Sequence, residues 1–215
     1  RIFRAHVLEE EQPAARPQDA MDLLHHAALV RAEIDHPVAD DHVGPAVLDR
    51  HVLDQALAEF RKALAIRPVS PTLLYLTADC YEALGQHKTA QEYFSRASAG
   101  VPQSGPDYIN QGLAFFKLGE EERVLDLLFE GVKADPFDLH TRLYLADTLL
   151  SRQLFDGAWK QYAIAAAFSP RSVSAYRGMG IILLSRGEHG EASMYFEKAL
   201  GMLPPDSPER KVLLE

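Results

Sequence analysis

The chain has 215 residues, 47% of them hydrophobic and 25% charged, so it is long enough to bury a core and too apolar for a disordered tail. Its formal net charge is −9 at pH 7, and no run of clustered Lys and Arg offsets it, which argues against a nucleic acid or an anionic membrane surface as partner. No uninterrupted apolar run approaches the roughly 18 to 20 residues of a membrane-spanning helix, and RIFRAHVLEEEQ carries acids where a leader peptide would be apolar, so the composition points to a soluble chain without direct membrane insertion.

Residues 1–16 show no periodic pattern. The chain opens on Arg1 rather than Met, which fits a piece of a longer protein and leaves the compartment open. The lone Cys80 excludes an internal disulfide and a Cys-rich metal site; a single thiol suits a reducing cytosol and is also compatible with the periplasm if a leader was removed. Within residues 1–36, the stretch PQDAMDLLHHAALVRAEIDH reads as an amphipathic helix with Met21, Leu24, Ala28 and Leu29 toward one face. Residues 37–70 form a damaged helix pair: Gly44-Pro45 interrupts its first helix, so 37–50 is broken and a helix starts near Pro45 or later. His25, His26, His36, His42 and His51, with Asp40 and Asp41, supply zinc or iron ligand types in this part of the chain. Their spacing opposes a site, since no pair stands at i, i+4 around a carboxylate and the adjacent His25 and His26 point about 100° apart on a helix. No metal and no cofactor are therefore expected.

From Pro68 onward a period sets in. Pro68, Pro102, Pro136, Pro170 and Pro204 recur every 34 residues, and four units follow in one register: 71–104, 105–138, 139–172 and 173–206. In each unit two helices are predicted, closed by the proline, whose ring nitrogen cannot continue the hydrogen-bond ladder. Position 8 of the units is Ala78, Gly112, Ala146 and Gly180; position 20 is Ala90, Val124, Ala158 and Ala192; position 27 is Ala97, Gly131, Ala165 and Ala199. Small residues there let two antiparallel helices approach, while Phe94, Leu128, Tyr162 and Phe196 at position 24 fill the space between pairs. Between the helices, Gly85, Gly119 and Gly187 stand where a helix ends in the left-handed conformation. Gln153 takes that place in the third unit, which predicts either a strained backbone or a different, looser ending. After the last unit, Ser207-Pro208-Glu209 reads as the N-cap and first turn of a short capping helix over 207–215.

The period, the helix–turn–helix content and this residue set resemble the tetratricopeptide repeat (TPR) family over residues 71–206, with Ala56, Phe60, Ala63 and Pro68 continuing the register upstream. The family's opening Trp is replaced by Leu74, Tyr108, Arg142 and Tyr176, and its Tyr by Tyr81, Phe115, Leu149 and Leu183. Arg142 is the poorest of these replacements. The resemblance implies an all-α, right-handed superhelical solenoid with a concave groove, used for protein binding rather than catalysis. No phosphate loop, nucleophile elbow, HExxH or CxxC motif argues for an enzyme.

Function is then sought on the inner stripe of each first helix, positions 2, 5, 9 and 12, which pack less against the partner helix than positions 4, 7, 8 and 11. There the sequence places Tyr75 and Asp79 in the first unit, Pro106, Ile109, Leu113 and Phe116 in the second, Leu143, Asp147 and Leu150 in the third, and Arg177, Ile181 and Leu184 in the fourth. This is a largely apolar band interrupted by charge, the composition of an interaction surface, unless it is core or is covered by the helix at 19–35. The family's grip on acidic chaperone tails is not expected: Tyr75 and Asp79 replace the Lys and Asn such a clamp needs, and Asp147 would repel a carboxylate. The expected partner is an apolar peptide or helix, with the chain as scaffold or chaperone-like adaptor; the alternatives are the arm of a larger enzyme or of a membrane or envelope assembly, and a metal-dependent activity in the His-rich N-terminal segment, and homo-oligomerisation is left open.

Overall fold

A computed structural model of the chain describes residues 50–205 together with Ser207 and Arg210. The amphipathic helix expected within 1–36 and the break over 37–49 lie outside the described residues, as does most of the segment 207–215.

The described residues form nine α-helices and no strand. They are α1 (Arg50–Ile66), α2 (Pro71–Ala83), α3 (His87–Ser98), α4 (Gly105–Lys117), α5 (Glu122–Ala134), α6 (Leu139–Ser151), α7 (Phe155–Phe168), α8 (Val173–Ser185) and α9 (His189–Leu200). The first helices α2, α4, α6 and α8 thus begin 34 residues apart, and the residue before each is Ser70, Ser104, Asp138 and Ser172. These are side chains that can satisfy the open amides of a first turn. Ser70 accepts from Leu73 N–H, Asp138 from His140 and Thr141, and Ser172 from Ala175. Ser104 instead donates its hydroxyl to Asp107 at 3.1 Å.

Asp107 is a hub. Buried in the first turn of α4, its carboxylate accepts from the Thr72 hydroxyl (2.7 Å), Ser70, the Gln103 amide and the Arg67 guanidinium, tying the loop before α2 and the loop before α4 to this helix. Burial by itself would push the carboxyl up; the hydrogen bonds from Thr72 and Gln103 and the Arg67 charge outweigh it and hold it below the usual value.

The turn residues behave as one set. Gly85, Gly119 and Gly187 all have positive φ, and so does Gln153 at 59°. Gln153 N–H bonds to Leu150 C=O and Leu154 N–H to Leu149 C=O, both at 2.9 Å, the same double closure that Gly119 and Glu120 make. Of the two expected endings the structure shows the first: Gln153 adopts the left-handed conformation itself, and the third unit closes with the same hydrogen bonds as the second rather than in a looser turn.

Packing follows the small–large pattern. Ala78, Ala146, Ala97 and Ala165 are fully buried, as are Leu128 and Tyr162. Arg142, in the family's Trp position, is also buried. Its guanidinium donates to Gln161 Oε1 (2.8 Å) and to Pro136 C=O and lies 5.5 Å from the Phe168 ring, so the hydrocarbon stem packs while the head is satisfied within the repeat. Nε alone has no partner, and burial lowers the pKa of the group.

The curvature comes from which helices touch. Each helix packs on its sequence neighbours, and consecutive first helices (α2 with α4, α4 with α6, α6 with α8) also touch, while the second helices make no comparable contact with one another. A stack drawn together along its first helices curves with those helices inside. The core divides into two clusters, one around α1–α3 and one from α4 to α9, and Leu113 packs against both.

Candidate functional site: the concave face

The concave face is what the first helices leave open after positions 3, 4, 7, 8, 10 and 11 have turned into the core. Two of the stripe residues do not reach it. Tyr75 is fully buried, its ring centroid 5.3 Å from that of Phe94, and Ile109 is buried in the second cluster. Both sit at position 5, as do the half-buried Leu143 and Arg177, and the contact between α2 and α4 is the most extensive among the first helices.

The remaining stripe is graded. Leu113, Leu143 and Leu150 are half-buried and pack partly on the core. Ile181, Asp79 and Arg177 are half-buried, and Pro106 and Asp147 are exposed. Phe116 and Leu184, both at position 12, are the most open apolar members, 55% and 49% exposed. Between them in register stands Leu150, so the last turns of α4, α6 and α8 carry Phe116, Leu150 and Leu184 at one repeat position.

Charge interrupts this band at defined places. Lys117 pairs with Glu82 of the preceding unit and rests 5.6 Å above the Phe94 ring. Asp147 accepts a hydrogen bond from the Tyr162 hydroxyl. Tyr162 is one of the large residues that fill the space between helix pairs, and its ring is fully buried on α7. Its hydroxyl, though, reaches the carboxylate of Asp147 on α6. Gly178 on α8 makes room, since a Cβ at that position would lie 2.2 Å from Tyr162 Cζ. The available signal was a Tyr at position 24 together with a Gly at position 6, where the other units carry Leu76, Asn110 and Tyr144. Asp147 is exposed, yet the protein packed around it reduces the hydration of its carboxyl and pushes its pKa up, against the opposing Tyr162 bond and Arg177 charge.

Two depressions among the described residues lie off the band. One, of about 390 Å³, is lined by Gln153, Leu154, Phe155, Asp156, Gly157 and Arg186 at the turn of the third unit. The other, about 180 Å³, is lined by Ile66, Val69, Val101 and neighbouring loop residues. An open apolar band suits a polymeric ligand better than a small molecule, which needs a concave cavity to bury most of its surface. Among the described residues no group of three His, Cys, Asp or Glu side chains is placed to hold a metal, and no helix is long and apolar enough to cross a membrane. The histidine-rich segment before residue 50 lies outside them.

Comparison with known proteins agrees with the architecture. Two tetratricopeptide repeat profiles match residues 48–110 and 143–207, together more than half of the chain. The human protein O-mannosyl-transferase TMTC1 is 23% identical over 155 residues, 70% of this chain and 18% of the relative. The small glutamine-rich tetratricopeptide repeat-containing protein 2 of Mycosarcoma maydis is 30% identical over 81 residues, 38% of this chain and 23% of the relative. The chain thus spans about a fifth of the length of these curated relatives. Among solved structures, YrrB, described as a TPR protein with an unusual peptide-binding site, superposes with a TM-score of 0.55 at 20% identity, covering 92% of this chain and 91% of that one.

Proposed function

Given that this chain belongs to the tetratricopeptide repeat family, we propose that it is a non-catalytic interaction scaffold, or chaperone-like adaptor, whose concave band docks an apolar peptide or helix of a partner protein. The observation that carries this reading is the set Phe116, Leu150 and Leu184: three large apolar side chains at one repeat position, two of them about half exposed, continuous with Leu113, Leu143 and Ile181. Leaving that much apolar surface in water is unfavourable by about 25 cal/mol per Å², and a contiguous patch rimmed by charge is the usual mark of a docking site. An amphipathic helix laid along the band would bury its i, i+3, i+4 and i+7 side chains there. Titration of the protein with a synthetic leucine-rich amphipathic peptide, against a scrambled peptide of equal composition, tests this. Saturable binding of the amphipathic peptide alone supports the reading; equal binding of both, or of neither, counts against it.

A second reading, the interaction arm of a larger enzyme or membrane assembly, is supported by the small fraction of each curated relative that the match covers. The parent reading frame tests it: a catalytic or membrane-spanning segment continuous with the repeats favours the arm, and repeats alone favour the adaptor.

A further inference from the structure

We propose that the concave band selects a segment carrying a Lys or Arg side chain within its apolar face, and that Asp147, fixed by Tyr162, is the residue that reads this cation. The inference rests on the reading of the band as a docking surface and deepens it.

Asp147 stands in an apolar field. Leu143 and Leu150 lie one turn away on either side of it along α6, and Leu113 and Ile181 occupy the same register position on α4 and α8. A ligand that buries this field must also cover the carboxylate. Covering it without a counter-charge is costly, because a carboxylate loses hydration that apolar atoms cannot replace. Covering it with an ammonium or guanidinium replaces that hydration with a charge-assisted hydrogen bond, roughly twice as strong as a neutral one. The acid therefore discriminates mainly by penalising ligands that lack a cation, and it repels acidic ones.

The carboxylate is held in place for such a role. Tyr162 is fully buried, yet its hydroxyl bonds Asp147 Oδ1, and Gly178 leaves the space through which the ring passes. Among the described residues no cation is paired directly with the acid. Lys117 is committed to Glu82, and Arg177 acts on Asp147 through its charge while no Lys, Arg or His nitrogen lies within 4.0 Å of its carboxylate among the described residues. The net charge of −9 further favours a cationic partner during encounter.

The test uses the whole chain and three fluorescein-labelled synthetic amphipathic peptides that share one leucine-rich face and differ in a single mid-face residue, Lys, norleucine or Glu. Fluorescence anisotropy should rank them Lys first, norleucine second and Glu last, with Lys roughly tenfold tighter than norleucine, as expected for a hydrogen bond to a charged group. Asp147→Asn should weaken the Lys peptide and strengthen the norleucine peptide, so that the two converge. Tyr162→Phe should keep the helical circular dichroism and narrow the same gap. Equal affinities in the wild type, or a Lys preference that survives Asp147→Asn, would overturn the assignment of Asp147 alone. Failure of all three peptides to bind would remove the docking surface itself, and this inference with it.

Discussion

Tyr162, buried on α7, reaches out to hydrogen-bond Asp147 on the concave face of α6, and it passes α8 at the point where that helix carries Gly178. A filler of the repeat core is thereby connected to the proposed recognition surface. Gly178→Ala tests the connection. In an exposed helix interior this change stabilises by about 1 kcal/mol. Here the new Cβ would meet the Tyr162 ring, so the variant should instead be destabilised by about 1–3 kcal/mol in urea unfolding, the usual cost of overpacking a filled core. Tyr162→Ala made in the Gly178→Ala background should show non-additive recovery.

Asp107 should set the acid limit of stability. Its folded pKa is lowered below the usual 3.8, so its contribution is fully present above that value and is lost as the pH falls through the lower folded value. Asp107→Asn should cost roughly 1.5–3 kcal/mol at neutral pH, the range for hydrogen bonds to a charged group, and the wild-type and variant curves should converge on acidification below 3.8. Curves that stay parallel over that range would contradict this assignment.

Cys80 should be chemically silent. Burial, with a smaller effect from the nearby Asp79 charge, pushes its thiol up to about 12, so almost no thiolate exists near neutrality. Alkylation by iodoacetamide in native buffer should be slower by orders of magnitude than in denaturant. A native rate matching the unfolded one would show that the thiol is open.

Leu113 should behave as a joint. It lies against both core clusters, so Leu113→Ala should cost about 2–3 kcal/mol and separate the denaturation of the α1–α3 cluster from that of α4–α9. Hydrogen exchange read helix by helix would resolve two protection levels in the variant. A single sharp transition at unchanged midpoint would place Leu113 outside the core contact.

Much of the architecture was legible because the period is a packing rule. Ala78, Ala97 and Leu128 had to be small or large in their places, and they are buried as that rule requires. The candidate surface was less legible. Tyr75 and Ile109 occupy stripe positions, yet they are buried while Leu143 and Arg177 at the same position are only half-buried, because the first helices pack most extensively between α2 and α4, and that spacing is not written in any single unit. Gln153 could have ended its helix in two ways, and only the backbone decides; the hydrogen bonds of Leu154 and Gln153 itself hold the left-handed conformation that the side chain disfavours. Tyr162 was classed by bulk, and the destination of its hydroxyl depends on a glycine sixteen residues further along.

The most direct test of the docking surface separates binding from stability at Phe116 and Leu184. Both are about half exposed, so replacing them together, Phe116→Ser with Leu184→Ser, should change the unfolding free energy by no more than about 0.5 kcal/mol per site, as expected for surface positions. The same double variant should lose at least tenfold in affinity for the leucine-rich amphipathic peptide, because anchors of an apolar site carry most of its binding energy. Full stability with lost binding is the predicted result. Undiminished peptide affinity, or a loss of binding matched by a loss of several kcal/mol in stability, would contradict the concave band as the docking surface.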